Sequence, residues 1–147
     1  MIFQTDERIG LEGFADTGCF VMAALNCVAI VRRKGFSPEE IGREVLKLQH
    51  TAIPGTTKPV IDSEFFVNNY DEIAHHFGIR AIVPAHKMPY TYTAKPDELL
   101  IGKFVYNKLV HAMCTNRVGI PTYDPLGDSL FRDHGGPADF RVLTWGY

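Results

Sequence analysis

The sequence predicts an α+β fold in one domain spanning residues 1–147. Two observations carry this prediction: helical patterns fill the first half of the chain, and short β-branched and aromatic runs separated by turn residues fill the last third. Helices followed by antiparallel strands are typical of α+β domains. No repeat or linker interrupts the chain, which is long enough to bury a core without disulfides or metals.

Residues 17–34 are predicted to form the central helix, after an extended arm or short strand over residues 1–15 that leads into a loop. Every residue from 20 to 31 except Asn26 is apolar, so this helix is expected to be buried on all sides. The expected N-caps are Asp16 or Thr17, and the expected stop is Gly35.

A second helix is predicted from Pro38 to about Gln49. The segment Ser37-Pro38-Glu39-Glu40 joins a capping residue, a proline at the first helical position and a Glu three places after the cap. The stripe that would face the core comprises Ile41, Val45, Leu46 and Leu48.

The middle of the chain is predicted to be mainly loop and short elements. Proline, glycine and threonine make residues 51–61 a loop, and residues 62–77 are expected to hold one helical turn and then a helix that ends at Gly78. Residues 79–83 are predicted to be a short buried strand. Residues 84–97, rich in proline and tyrosine, are expected to form a surface loop that either borders a cleft or simply connects two elements.

The last third is predicted to be an antiparallel sheet. Residues 103–114 read as one long strand, residues 118–124 as its partner, and residues 115–117 as the turn between them. Further strands are expected at 130–131 and 141–144, with a turn at 133–137.

Charge, hydropathy and cysteine count limit the functional classes. A formal net charge of -2 without a long basic run argues against a nucleic-acid partner. The apolar run is shorter than the roughly 20 residues that cross a bilayer, and the acidic segment before it is unlike a signal peptide. A cytoplasmic protein with no membrane partner and reduced thiols is expected, with export by another route left open.

Cys19 is the first candidate for chemistry, because it lies where a loop becomes the apolar helix. Free N–H groups and the positive end of the helix dipole favour a thiolate at such a position. The alternative is that Cys19 is a small apolar core residue, as Cys27 and Cys114 are expected to be.

His111 and Asp124 are the second and third candidates. On a single strand, His111 shares a face with Val105, Asn107, Leu109 and Met113. A two-residue turn at Asn116-Arg117 would place His111 opposite Thr122 and make Asp124 its diagonal neighbour, whereas a three-residue turn would move Asp124 to the other face. Taken singly, His111 could be a structural histidine and Asp124 a turn initiator.

Cysteine, histidine and aspartate in this order are typical of a thiol nucleophile with its base and orienting carboxylate. The blocks that carry the motif are Asp16-Thr17-Gly18-Cys19-Phe20, Leu109-Val110-His111 and Tyr123-Asp124-Pro125-Leu126. They resemble papain-like cysteine peptidases of the small bacterial kind, including bacteriocin-processing peptidases and cell-wall amidases. The chain is also similar, over most of its length, to an uncharacterised family of small papain-like proteins from spirochaetes and phages.

The resemblance implies a papain-like fold with Cys19 as nucleophile, His111 as base and Asp124 as the residue that orients the base. It further implies a thiol hydrolase, a peptidase or amidase, that acts without a cofactor on a peptide or a peptidoglycan stem peptide. Such peptidases usually carry an oxyanion-hole glutamine shortly before the cysteine. Here position 13 is Gly, which leaves Gln4 as the candidate, and Ala112 stands where an aromatic residue often follows the histidine.

Three alternatives accompany this interpretation. A zinc site built from the cysteines and His111 is disfavoured, because the chain has no Cys-x-x-Cys or His-x-x-x-His spacing, and no metal is predicted. A catalytically inactive papain-like module could bind a peptide or a partner protein, for instance in a phage particle. A transferase or deamidase would use the same thiol and differ only in product.

Overall fold

The computed structural model describes residues 2–127 and 129–147 and has the predicted α+β architecture. In these residues one antiparallel five-stranded sheet has the order β1-β5-β2-β3-β4. Its strands are β1 (Arg80–Pro89), β2 (Leu99–Tyr106), β3 (Leu109–Thr115), β4 (Pro121–Tyr123) and β5 (Gly136–Gly146). The helices are α1 (Phe14–Thr17), α2 (Cys19–Arg32), α3 (Pro38–Gln49), α4 (Tyr70–His76) and α5 (Leu130–His134), preceded by a 3-10 helix at Glu7–Ile9.

The central helix α2 begins at Cys19, two residues later than predicted. Gly18 is its N-cap, in place of Asp16 or Thr17, and separates it from the single turn α1. The helix ends at Arg32, because Arg33 takes a left-handed conformation ahead of Gly35. The amino-terminal arm, expected to be a short strand or extended, instead contains turns and the 3-10 helix, and α1 begins near its end.

Helix α3 has the predicted bounds and the predicted capping box. The Ser37 hydroxyl accepts from the Glu40 N–H, and the Glu40 carboxylate accepts from the Ser37 N–H, both at 3.1 Å. Its Gly42 lies against the 3-10 helix, where a Cβ atom would come within 2.0 Å of the Ile9 carbonyl oxygen.

Helix α4 and strand β1 differ from the prediction in length. The helical turn expected at the start of residues 62–77 is instead a non-helical turn, in which the Asp62 carboxylate accepts from two backbone N–H groups. The helix starts only at Tyr70, and Gly78 ends it with a positive φ of 75°. Strand β1 continues through Pro84 into the predicted surface loop, because its edge position tolerates proline while its other side pairs with β5.

The prediction of one long strand over residues 103–114 is wrong, because the structure has a hairpin there. Asn107 and Lys108 have positive φ angles of 49° and 63° and form a two-residue turn between β2 and β3. The strand predicted at 118–124 is shorter in the structure, where β4 spans only Pro121–Tyr123. A longer loop takes the place of the turn predicted at Asn116-Arg117.

Two further predictions for the carboxy-terminal part are also wrong. Cys114 pairs with Tyr123, so His111 does not lie opposite Thr122. Residues 130–131 belong to the helix α5 rather than to a strand, and β5 already starts at Gly136, inside the predicted turn.

The main core lies between α2 and one face of the sheet. It contains most of the buried residues of α2 together with Ile101, Ala112, Cys114 and Leu143 from the strands. The Cys114 thiol donates to the Ala23 carbonyl at 3.2 Å and lies 4.0 Å from the Cys27 sulfur. Cys27 and Cys114 are thus core residues, as predicted, and Cys19 is buried at the edge of the same core.

In residues 2–127 and 129–147, no helix combines the length and the apolar composition that crossing a membrane requires.

Replacing Gly42 with Ala is expected to destabilise the protein by about 1–3 kcal/mol, because the new methyl group would displace the backbone of the 3-10 helix. This reverses the usual stabilisation by alanine in a helix. Chemical denaturation measures the change. Gly35→Ala is the control: no atom lies within 4 Å of the added carbon, so a change within about 0.5 kcal/mol is expected. An equal effect of both substitutions would contradict the packing argument.

Candidate functional site

Cys19 is the first residue of α2, and the break at Gly18 places it there. A Cβ atom at position 18 would lie 2.6 Å from the Phe14 carbonyl oxygen, so only glycine allows α1 and α2 to join at this angle. Because Cys19 is at a helix start, its N–H has no acceptor within α2. No described side chain caps this end of the helix. The start of α2 thus offers a thiol and a free backbone donor at one residue.

His111 and Asp124 form a buried hydrogen-bonded pair. The His111 Nε2 and Asp124 Oδ1 atoms are 2.7 Å apart, and the two residues are only 2% and 1% exposed. Strand β3 carries His111, and Asp124 follows directly after β4, the next strand of the sheet. The predicted proximity of these residues is therefore present, although the register that brings them together differs from the predicted one.

The Cys19 side chain lies close enough to the same imidazole to raise its pKa. Because Nε2 is occupied by Asp124, the nitrogen that remains for the sulfur is Nδ1. Burial lowers the pKa of His111, but the hydrogen bond to Asp124 and the proximity of Cys19 outweigh it and raise that pKa from 6.5 to about 9. The imidazole is thus hydrogen-bonded to the carboxylate and lies near the sulfur.

Asp124 is held by the loop that follows it. Its Oδ1 atom also accepts from the Leu126 N–H at 2.9 Å, and its Oδ2 atom accepts from the Ser129 hydroxyl at 2.5 Å and the Ser129 N–H at 3.2 Å. Burial acts to raise the pKa of Asp124, but the bonds from His111, Ser129 and Leu126 more than offset this and lower it below 3.8. The carboxylate is therefore ionised and fixed in orientation.

Phe131 of α5 covers the imidazole. Its ring centroid is 5.1 Å from that of His111, and Tyr106 packs edge-on against Phe131 at 6.3 Å. An aromatic cover of this kind keeps water away from the His111–Asp124 bond and strengthens it electrostatically.

Gln4 folds back against the site from the amino-terminal arm. Its N–H donates to the Pro125 carbonyl at 2.8 Å, next to Asp124, and its Nε2 atom donates to the Ala15 carbonyl at 2.8 Å, four residues before Cys19. The side chain is 2% exposed, and its Oε1 atom has no hydrogen-bond partner among the described residues. The amide therefore lies between the two segments that carry the nucleophile and the carboxylate.

The sequence analysis did not identify Ser129, Phe131 or Tyr70 as parts of the site. Tyr70 begins α4 and packs against the main core, to which Cys19 also belongs. Burial raises the pKa of Tyr70, Arg141 opposes the shift and Cys19 adds to it. For Ser129 and Phe131 the sequence held one local signal: they follow Asp124 closely and stand two residues apart.

The described residues contain no group of three or more His, Cys, Asp or Glu side chains arranged to hold a metal ion.

A scan against protein-family models, a search of curated proteins and a search of solved structures each returned no match to this chain. The function proposed below therefore rests on the geometry and the chemistry of the site.

The raised pKa of His111 predicts a pH-dependent stability. The protonated imidazole is favoured in the folded state, so its contribution is fully present below about pH 6.5 and is lost as the pH rises to about 9. The free energy of unfolding should fall by up to about 3 kcal/mol over this window. Denaturation at several pH values measures it. Asp124→Asn should flatten the profile, whereas His75→Gln on the surface should leave it unchanged; an identical profile in Asp124→Asn would contradict the assignment.

Proposed function

We propose that this protein is a papain-like cysteine hydrolase that cleaves an amide bond in a peptide or a peptidoglycan stem peptide. The observation that carries the proposal is the buried His111–Asp124 pair against the thiol of a helix-start cysteine. A carboxylate, an imidazole and a thiol in contact are the parts that nucleophilic catalysis by cysteine requires. The order Cys19, His111, Asp124 along the chain is that of papain-like enzymes, and no cofactor is needed.

In the proposed reaction, His111 takes the Cys19 proton and the thiolate attacks the carbonyl carbon of the substrate. The Asp124 carboxylate holds the ring and stabilises the imidazolium. The imidazolium then gives its proton to the leaving amine, which departs and leaves an acyl-thioester on Cys19. Water, deprotonated by His111, hydrolyses the thioester and regenerates the thiol.

The negative oxygen of the tetrahedral intermediates needs donors close to the sulfur. The free N–H of Cys19 is one, and the dipole of α2 adds to it. Gln4 is proposed as the second donor, through the amide hydrogen of Nε2 that the Ala15 carbonyl does not use. The fifteen-residue separation from Cys19 is no obstacle, because the arm is anchored at Pro125 beside Asp124.

The second candidate is a catalytically inactive papain-like module that binds a peptide or a partner protein. The observation that favours it is the limited access to the site: Cys19 is 9% exposed and His111 2% exposed. The two candidates make opposite predictions about the reactivity of the thiol.

Iodoacetamide is expected to alkylate Cys19 at pH 6.5 up to about 100-fold faster than an ordinary thiol, which is only about 1% ionised there. His111→Ala should abolish this advantage, because the imidazolium stabilises the thiolate. Rates of labelling by mass spectrometry of the cysteine peptides provide the measurement.

Cys27 and Cys114 serve as internal controls for this experiment, since they are 1% and 3% exposed. The hydrogen bond with Cys114, together with burial, also raises the pKa of Cys27 well above its usual value. Both should remain unlabelled in the folded protein. Slow, equal labelling of Cys19 in the wild type and in His111→Ala would favour the inactive module.

Gln4→Ala is expected to slow acylation of Cys19 by p-nitrophenyl acetate by about 10²–10³-fold, the usual cost of losing one oxyanion donor. Alkylation by iodoacetamide forms no oxyanion, so its rate should not change. Gln49→Ala is the matched control, because it removes a similar bond, from Gln49 to the Asp62 carbonyl, outside the proposed site. Equal losses in both reactions would mean that Gln4 only supports the fold.

A further inference from the structure

A groove of about 500 Å³ lies between the start of α4 and strands β1 and β5. Tyr70, Asp71, Lys87 and Arg141 are among the residues that line it. We refer to it as the α4–β1 groove. None of these residues takes part in the proposed proton transfers.

Strand register places the cations of this groove on the sheet face that α2 covers. Ile101 of β2 pairs with both Cys114 and Arg141, and cross-strand partners project from the same face. Cys114 packs on α2 through the Ala23 carbonyl, so Arg141 shares the face of the main core. Lys87 pairs with Arg141 and therefore lies on this face too.

The same face of the sheet carries further charged side chains two residues along the strands. Lys103 pairs with Ala112 of β3 and with Asp139 of β5, two residues from Ile101 and Arg141 respectively. Beyond the apolar surface under α2, this face therefore carries charged side chains at the level of Ala112.

Hydrogen bonding leaves this surface rich in donors and poor in free acceptors. Asp71 accepts from the Ala85 N–H at 2.8 Å and from the Trp145 indole at 2.9 Å, which occupies both oxygens. Asp139 accepts from Nη1 of Arg141. Among the described residues, Lys87 and Lys103 form no ion pair, and the other guanidinium nitrogens of Arg141 have no protein acceptor. Lys87 and the free guanidinium nitrogens of Arg141 are therefore the groove donors that remain for an anionic ligand.

Tyr70 connects the α4–β1 groove to the nucleophile. Its side chain lines the groove and packs against the main core, to which Cys19 also belongs. A ligand held by Lys87 and Arg141 would therefore extend past Tyr70 towards the sulfur.

We propose that the α4–β1 groove binds the part of the substrate next to the scissile amide, and that this part carries a carboxylate held by Arg141 and Lys87. Arginine and lysine differ in their roles here: the free edge of the guanidinium offers directed hydrogen bonds, and the lysine supplies a mobile charge. The inference deepens the function proposed above and rests on it. It names the substrate class as a peptide with an acidic group near the cleavage point.

The test compares two electrophiles of equal length, bromoacetylglycylglycine and its carboxy-terminal amide. In either reaction a bond forms between the Cys19 sulfur and the methylene carbon, bromide leaves, and the thiol proton goes to His111. The quantity compared is the alkylation rate of the carboxylate probe divided by that of the amide probe. For Cys19 this ratio is expected to be at least about fivefold higher than for glutathione, which corrects for the intrinsic reactivity of the two probes. Raising the ionic strength from about 20 mM to about 500 mM should reduce this preference.

Two substitutions test whether the preference for the carboxylate probe arises in the groove. Arg141→Gln and Lys87→Gln should each bring the ratio towards one, because they slow the carboxylate probe more than the amide probe. Lys87 is exposed on an edge strand, so Lys87→Gln remains informative if Arg141→Gln fails to fold. Arg43→Gln on the outer side of α3 removes the same charge outside the groove and should preserve the preference.

The outcomes separate this inference from the proposed function. A ratio near one in the wild type, or a preference that survives both groove substitutions, overturns the assignment of the groove, whatever the reactivity of Cys19. His111→Ala should slow both probes equally and keep their ratio. Unchanged rates in that variant would overturn the proposed catalytic pair and would leave the charge preference of the groove as a separate result.

Discussion

The hydrogen bond between His111 and Asp124 is the constraint on which the site depends. Both groups are almost fully buried, and a buried imidazole or carboxylate without a partner would be costly. The loop after Asp124 offsets this cost, because two backbone N–H groups and the Ser129 hydroxyl donate to the carboxylate. Because every one of these contacts favours the ionised Asp124, the imidazole that it holds is easily protonated. A site that stabilises an imidazolium next to sulfur is prepared for thiolate chemistry.

Packing of α2 on the sheet decides how far the thiol lies from the imidazole. The helix is apolar on nearly all sides, and its contacts with β3, such as that from Cys114 to Ala23, fix its position and orientation on the sheet. Gly18 then ends the preceding turn so that Cys19 is the first helical residue. Stability and proposed chemistry are thus properties of one interface, in which core residues lie one or two turns below the reactive group.

Apolar and charged side chains are unevenly distributed around the site. The α2-covered face of the sheet is apolar beneath the helix and becomes cationic beyond it, at Arg141, Lys87 and Lys103. The amino-terminal arm closes the side near Pro125, and Phe131 covers the imidazole. A substrate would therefore approach along the groove next to Tyr70.

The local chemistry of the sequence determined the α+β class, the capping box of α3 and the stop at Gly78, since each depends on neighbouring residues alone. It also indicated Cys19, His111 and Asp124, because their residue types and order are those of a thiol site. Tertiary structure decided the rest. Asn107 and Lys108 fold into a turn that their types do not require, pairing with β5 extends β1 through Pro84, and Asp124 reaches His111 in a register that the length of the 116–120 loop sets. Such choices depend on contacts between residues far apart in the chain, and no local pattern contains them.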